Sequence, residues 1–130
     1  MTFSQSGSAA RFRAAVEAGD LDAAVAQFAD DVVFNSPVVF RQYQGKEALR
    51  PLLAAVFHVF QNFRYTAEYA GESGHVLEFA AEVGGRDLQG VDIVRGGADA
   101  EAPLTELTVL TRPYSATTAL REQMAALLTG

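Results

Sequence analysis

Apolar residues recur at helical spacing in the first half of the chain. Phe12 and Val16 lie four residues apart, so they share one face of a predicted helix over Ser8–Ala18. Asp20 is a suitable cap for a second predicted helix over Leu21–Phe28. These two helices open the chain.

A third, longer helix is predicted from Gly45 to about Phe60. A wide face of this helix is apolar, which is typical of a helix packed on a core. The residues on that face are Leu49, Leu52, Leu53, Val56, Phe57 and Phe60. His58 falls on the opposite, polar side, so we interpret it as a surface histidine. Before this helix, Val32–Phe34 predicts a short strand that ends at Pro37.

From Phe63 onward the apolar residues alternate with polar ones, which is typical of strands with one buried face. The predicted strands are Phe63–Tyr69, Leu77–Val83, Leu88–Val94 and Leu104–Thr111. Helices followed by sequentially paired strands indicate the α+β class. We therefore expect one domain over residues 1–130, with residues 1–7 as a flexible N-terminus.

The last predicted element is a helix capped by Ser115, with Leu120, Met124 and Leu127 on one stripe. This stripe could fold back over the outer face of the sheet, on which Val91, Ile93 and Leu110 are expected. Otherwise that face is free, and it is then a surface through which two copies of the chain pair as a homodimer.

Composition excludes several classes of function. The chain has 130 residues, no cysteine, two histidines and a net charge of −6, and its ten basic residues are scattered. We expect no metal or other cofactor, because few good ligands are present. An acidic chain repels nucleic-acid phosphates. With no apolar run of ~20 residues and no signal peptide at its start, the sequence predicts a cytoplasmic protein that does not bind membranes.

Asp92 is the unusual residue of the predicted sheet. It follows Leu88 and precedes Val94 on one face of its strand, and the opposite face is apolar as well. A buried carboxylate must be paired, reach water or take up a proton, and such groups are candidates for acid–base chemistry. The alternatives are that Asp92 faces solvent on an edge strand or pairs with an arginine such as Arg112.

Several motifs resemble those of nuclear transport factor 2-like domains, a superfamily that includes ketosteroid isomerases and SnoaL-like polyketide cyclases. The motifs are Ala14–Asp22, Phe28–Asp31, Gly45, Gly90–Asp92 and Leu104–Leu107. The resemblance runs over about residues 10–112. It implies a cone-shaped, curved antiparallel (mixed) sheet wrapped around the N-terminal helices, with an added C-terminal helix and a deep pocket at one end. It also implies that Asp92 points into this pocket. Because related domains often pair through the outer face of the sheet, the resemblance favours the homodimer over a helix that covers this face.

The resemblance suggests which residues accompany Asp92 in the pocket. Its apolar walls would be formed by Leu77, Phe79, Leu107 and Val109, although ordinary core residues have the same pattern. Possible polar contacts are Asn35, Ser36, Tyr43 and Tyr65, each of which also suits a turn or surface position.

Most of the ketosteroid isomerase pattern is missing. The tyrosine on the first helix corresponds to Phe12, the general-base aspartate to Ser36, and a supporting tyrosine to Leu53. Only the second aspartate is retained, at Asp92, and it is this acid that the isomerase keeps protonated. We therefore expect no ketosteroid isomerase activity, with Phe12 and Leu53 as ligand contacts.

Two functions fit these residues. The chain binds a small apolar molecule in a pocket that contains Asp92, or it is an isomerase, polyketide cyclase or epoxide hydrolase that uses Asp92 as acid or base. The lack of a second inward carboxylate or histidine favours binding, because acid–base catalysis usually needs two partners. Whether the chain is an enzyme stays open at this stage.

Overall fold

The structure is a computed structural model that describes residues 7–99 and 101–129. Apart from Gly7, the predicted flexible N-terminus lies outside the described residues. The helices are α1 (Ser8–Glu17), α2 (Leu21–Ala26), α3 (Lys46–Val59) and α4 (Tyr114–Thr129). The strands are β1 (Phe28–Asn35), β2 (Tyr43–Gln44), β3 (Gln61–Gly71), β4 (Gly74–Val83), β5 (Arg86–Gly96) and β6 (Leu104–Arg112). Among these described helices, none is both long and apolar enough to span a bilayer.

Six strands form one mixed sheet in the order β2-β1-β6-β5-β4-β3. Only β1 and β6 are parallel, and every other neighbouring pair is antiparallel. The predicted α+β class and mixed sheet are confirmed. Several boundaries differ from the prediction. Phe28 begins β1 instead of ending α2, so β1 is longer than the predicted Val32–Phe34. Ser115 lies inside α4, one residue after its start, and does not cap the helix.

One face of the sheet, the inner face, packs against the helices and holds the core. Asp92 on β5 lies opposite Leu77 on β4 and Val109 on β6, so all three side chains point to this face. The neighbouring positions point the other way. Val91, Ile93, Thr108 and Leu110 form what we call the outer patch, and Leu110 is exposed.

Helix α4 lies on the inner side of the sheet. Ala116 and Leu120 are buried in the core, and Met124 packs against it. The Thr111 and Thr117 hydroxyls share a 2.7 Å hydrogen bond that joins the start of α4 to β6. The sequence left open whether this helix folds back over the outer face of the sheet. It does not, because α4 packs on the core and leaves the outer patch uncovered.

A β-bulge changes which side chains of β3 face inward. Tyr65 lies opposite Phe79, but the next register pair joins Ala67 to Glu78, so β3 contains one extra residue. Beyond this point the predicted alternation is reversed. Tyr69 is 56 % exposed, whereas Glu68 lies opposite Leu77 on the inner face and has a side chain that is only 12 % exposed.

Candidate functional site

A cavity of about 250 Å³ lies between the inner face of the sheet and the helices α1, α3 and α4. Its walls are largely apolar. The side chains from helices include Phe12, Val16, Leu52, Leu53, Val56, Phe57, Leu120, Met124 and Leu128, and those from strands include Phe34, Phe63, Leu107 and Val109. The polar side chains on the lining are Ser36, Tyr43, Tyr65, Asp92 and Arg121. Such a surface suits a mostly apolar molecule with few polar atoms.

The structure brings eight of the eleven predicted site residues together on this lining. They are Phe12, Ser36, Tyr43, Leu53, Tyr65, Asp92, Leu107 and Val109. The other three, Asn35, Leu77 and Phe79, do not line the cavity.

Asn35 lies on the outer face of the sheet. It pairs in register with Thr108, and its Nδ2 donates to Glu106 Oε2 at 2.7 Å and to Thr108 Oγ1 at 2.8 Å. Ser36, one position further, lines the cavity. Because successive strand residues point to opposite faces, Asn35 and Ser36 could not both face inward.

Leu77 and Phe79 do face inward, but both are buried in the core and neither lines the cavity. The Phe79 ring lies over Gly90, where an added Cβ would be 2.4 Å from the ring. Phe60 and Phe63 pack against Phe79 with ring centroids 5.6 and 5.0 Å away, and these two line the cavity. Leu77 and Phe79 are therefore core residues behind the wall.

Asp92 and Tyr65 form a buried hydrogen-bonded pair. The Tyr65 hydroxyl donates to Asp92 Oδ2 at 2.7 Å, and Asp92 is only 8 % exposed. Burial raises the pKa of Asp92 to about 7, although the hydrogen bond from Tyr65 opposes this rise. Burial and the nearby Asp92 also raise the pKa of Tyr65 well above its usual range. Near neutral pH the Asp92 carboxyl can therefore be protonated and donate a hydrogen bond.

Asp92 is the one carboxyl group on the described lining, and no histidine accompanies it. Ser36 has no base beside it among those residues, and its Oγ accepts a hydrogen bond from the Val38 amide at 3.1 Å. Within the described part of the chain, no three histidine, cysteine or acidic side chains come together as a possible metal site. The arrangement can donate or accept one proton, at Asp92.

Sequence reasoning missed the loop between β1 and β2 and the end of α4. Val38 and Val39 line the cavity from this loop, in which no periodic pattern signals a role. The sequence predicts a stripe of Leu120, Met124 and Leu127 on α4, but Leu127 does not line the cavity, whereas Leu128, which is itself 46 % exposed, does. The spacing of four residues from Met124 to Leu128 was the available signal.

Comparison with known proteins agrees with this architecture. A crystal structure of a steroid delta-isomerase from Pseudomonas aeruginosa has 31 % sequence identity, a TM-score of 0.86 and coverage of 94 % of this chain and 89 % of that one. An uncharacterized protein from Silicibacter pomeroyi with a cystatin-like fold has 31 % identity, a TM-score of 0.85 and coverage of 94 % and 85 %. No curated protein matches the chain.

A more distant structure shares the fold. It is a putative SnoaL-like polyketide cyclase from Shewanella denitrificans, with 15 % identity, a TM-score of 0.65 and coverage of 88 % of this chain and 94 % of that one. The SnoaL-like domain family matches residues 9–112, which is most of the chain. The protein therefore belongs to the SnoaL-like domain family, within the nuclear transport factor 2-like superfamily that its motifs predict.

Proposed function

We propose that this protein binds a small, largely apolar molecule in the cavity and that Asp92 donates a hydrogen bond to a neutral polar atom of it. The observation that carries this proposal is a carboxyl group that is only 8 % exposed on an apolar wall, where burial raises its pKa to about 7. An anionic ligand loses its hydration in this apolar cavity and is repelled whenever Asp92 is ionised, whereas a ketone or aldehyde oxygen costs less to bury and accepts a hydrogen bond from the neutral acid.

The size of the cavity favours a small ligand. Its volume of about 250 Å³ is just below the range of roughly 300–1,000 Å³ that is usual for ligand pockets. Aromatic rings make up much of the wall, including Phe12, Phe34, Phe57, Phe60 and Phe63. We therefore favour a flat compound of one or two rings with a single carbonyl group.

A series of three naphthalenes of similar shape tests this proposal by calorimetry. The probes are 2-acetonaphthone (a ketone), 2-ethylnaphthalene (a hydrocarbon) and 2-naphthoate (an anion). We expect the ketone to bind most tightly and more strongly at pH 6 than at pH 8, because only protonated Asp92 donates. Asp92→Leu should reduce ketone affinity to that of the hydrocarbon, whereas Asp31→Leu, at an exposed position on β1, should not. Ketone affinity no greater than that of the hydrocarbon, or a ketone affinity that does not change between pH 6 and pH 8, would reject the role given to Asp92.

The second candidate is an enzyme that uses Asp92 as its acid or base. The support is the 31 % identity to a protein described as a steroid delta-isomerase. A second similar structure is described as a putative SnoaL-like polyketide cyclase. Isomerisation, cyclisation and epoxide hydrolysis would each use Asp92 as the group that donates or accepts a proton. Two residues stand against ketosteroid isomerase activity itself. Phe12 has no hydroxyl to donate a hydrogen bond, and Ser36 cannot act as the general base that this reaction requires.

We also propose that the protein is a cytoplasmic homodimer paired through the outer patch. The patch is apolar at its centre, Glu78 and Glu82 extend from the outer face on β4, and Arg112 lies on β6. A two-fold axis parallel to the strands places β4 of one copy over β6 of the other, so opposite charges meet. The net charge of −6 supports a protein that associates with neither nucleic acid nor anionic membranes.

A further inference from the structure

We infer that Arg13 is a positioning residue for the Tyr65–Asp92 pair. Its guanidinium carbon lies over the Tyr65 ring, 5.4 Å from the ring centroid. Arg13 is absent from the cavity lining, so it acts on the site only through Tyr65. The inference builds on the pair in the proposed site, but it can be tested on the protein without a ligand.

Two carboxylates hold Arg13 in this position. Its Nε donates to Glu17 Oε2 at 3.3 Å, one turn along α1, and its Nη1 forms an ion pair with Glu68 on β3. The Arg13 side chain is 29 % exposed and the Glu68 side chain 12 %. An ion pair that is largely removed from water is less screened than one on an open surface.

The β-bulge in β3 is what brings Glu68 to Arg13. In a regular ladder that continued from the pairing of Tyr65 with Phe79, Glu68 would lie opposite Val76 and point outward. The extra residue shifts Glu68 to lie opposite Leu77, on the face where α1 packs. Bulges commonly re-aim side chains beside functional sites. Here the bulge puts Glu68 on the same face of the sheet as Tyr65, three residues earlier, so that Arg13 can contact both side chains.

Tyr65 contacts two other aromatic rings, and Arg13 helps to fix the orientation of the Tyr65 ring between them. The edges of Phe63 and Phe79 meet the ring nearly at right angles, with centroids 4.9 and 6.5 Å away. A cation over an aromatic ring is attracted to its face, most strongly where water is scarce. Arg13 therefore stabilises the ring orientation in which the Tyr65 hydroxyl reaches Asp92.

The positive charge of Arg13 also favours the hydrogen bond from Tyr65 to Asp92. The ionisable groups around Tyr65 are Asp92 on β5, Arg13 and Glu17 on α1 and Glu68 on its own strand. Burial and Asp92 raise the pKa of Tyr65, and Arg13 opposes that rise. Arg13 thus keeps the hydroxyl a better donor to the Asp92 carboxylate.

The expected consequence is a change at Asp92, although Arg13 does not touch it. The hydrogen bond from Tyr65 favours the ionised form of Asp92 and lowers its pKa. Without Arg13 this bond is made for less of the time, so the pKa of Asp92 should rise above its value of about 7. Complete loss of one hydrogen bond to a carboxylate corresponds to about one pKa unit.

The test is a carboxyl ¹³C NMR titration of Asp92 in four forms of the protein: wild type, Arg13→Met, Tyr65→Phe and the double variant. We expect Tyr65→Phe to raise the pKa most, Arg13→Met to raise it by part of that amount, and the double variant to match Tyr65→Phe. Arg13→Lys keeps the cation and should restore most of the wild-type value. Arg11→Met, which removes the same charge from the same helix, should leave the pKa unchanged.

Three results would overturn the inference. They are an unchanged pKa in Arg13→Met, an equal shift in Arg11→Met, or a further shift when Arg13→Met is added to Tyr65→Phe. If Arg13→Met does not fold, Glu68→Gln replaces it. This variant removes the partner that fixes Arg13, and it should raise the pKa of Asp92 by a smaller amount, with no rise counting against the inference.

Discussion

Replacing Asp92 with asparagine should make the protein more stable above neutral pH and remove a specific pH dependence. The folded protein binds a proton at Asp92 with a pKa of about 7, compared with the ordinary value of 3.8. Between pH 4 and 7 the folded state therefore holds more protons than the unfolded state. The contribution of Asp92 to the free energy of unfolding therefore falls as the pH rises, and it is lost completely above the pKa of Asp92 in the folded protein.

The size of this effect follows from the shift of about three pKa units. Each unit corresponds to ~1.4 kcal/mol, so ionising the buried group costs about 4 kcal/mol at pH 8. The Asp92→Asn side chain keeps an oxygen that can accept from Tyr65. The variant minus wild-type difference in free energy of unfolding should thus increase by up to about 4 kcal/mol from pH 4 to pH 8.

Urea unfolding followed by circular dichroism, at fixed protein concentration and a series of pH values, measures this difference. Any constant packing cost of the amide shifts the whole curve and leaves its slope unchanged. Asp31→Asn, at an exposed position, is the matched control and should give no such increase. A flat difference curve for Asp92→Asn, or one that falls with pH, would refute the reasoning.

The remaining predictions concern packing, assembly and activity. In urea unfolding, Gly90→Ala should destabilise the protein by about 2 kcal/mol, because the added Cβ would lie 2.4 Å from the Phe79 ring. The control Gly71→Ala, where the nearest atom is 3.8 Å away, should cost much less. Equal losses of stability in the two variants would count against this packing. Sedimentation equilibrium at micromolar concentration should give twice the 13.9 kDa chain mass, dissociated by Ile93→Glu but not by Tyr114→Glu at an exposed site, and a monomeric wild type would refute the dimer. Turnover of a β,γ-unsaturated ketosteroid should not exceed that in buffer, and a clear excess would contradict the argument from the missing base.

Periodicity predicted the main elements because most of them bury one regular face. The stripe on α3 and the alternation on β4 and β5 are visible in the sequence and recur in the structure. The two-residue strand β2 is too short to have a period. The bulge in β3 depends on pairing with β4, so alternation within β3 alone assigned Tyr69 to the wrong face.

The inward direction of Asp92 was implied by the family resemblance, because both faces of its strand are apolar and alternation alone did not decide between them. Whether an inward-facing residue lies in the core or on the cavity wall could not be predicted, because both kinds of residue show the same alternation along a strand. Phe79 packs behind the rings of Phe60, which follows α3, and Phe63 on β3, and only the folded structure reveals this order. Arg13 and Tyr65 are far apart in sequence, and the bulge in β3 is what turns Glu68 toward Arg13, so no local pattern indicates the contact between Arg13 and Tyr65.

The central claim is that a ligand occupies the cavity beside Asp92, and methyl NMR with 2-acetonaphthone tests it most directly. The methyl groups of Leu53, Leu107, Val109 and Met124 line the cavity, whereas those of Val91, Ile93 and Leu110 lie on the outer face. We expect the cavity methyl groups to show saturable shifts on adding the probe, and we expect binding to weaken as the pH rises from 6 to 8. Shifts confined to the outer-face methyl groups, or none at saturating probe, would contradict the central claim.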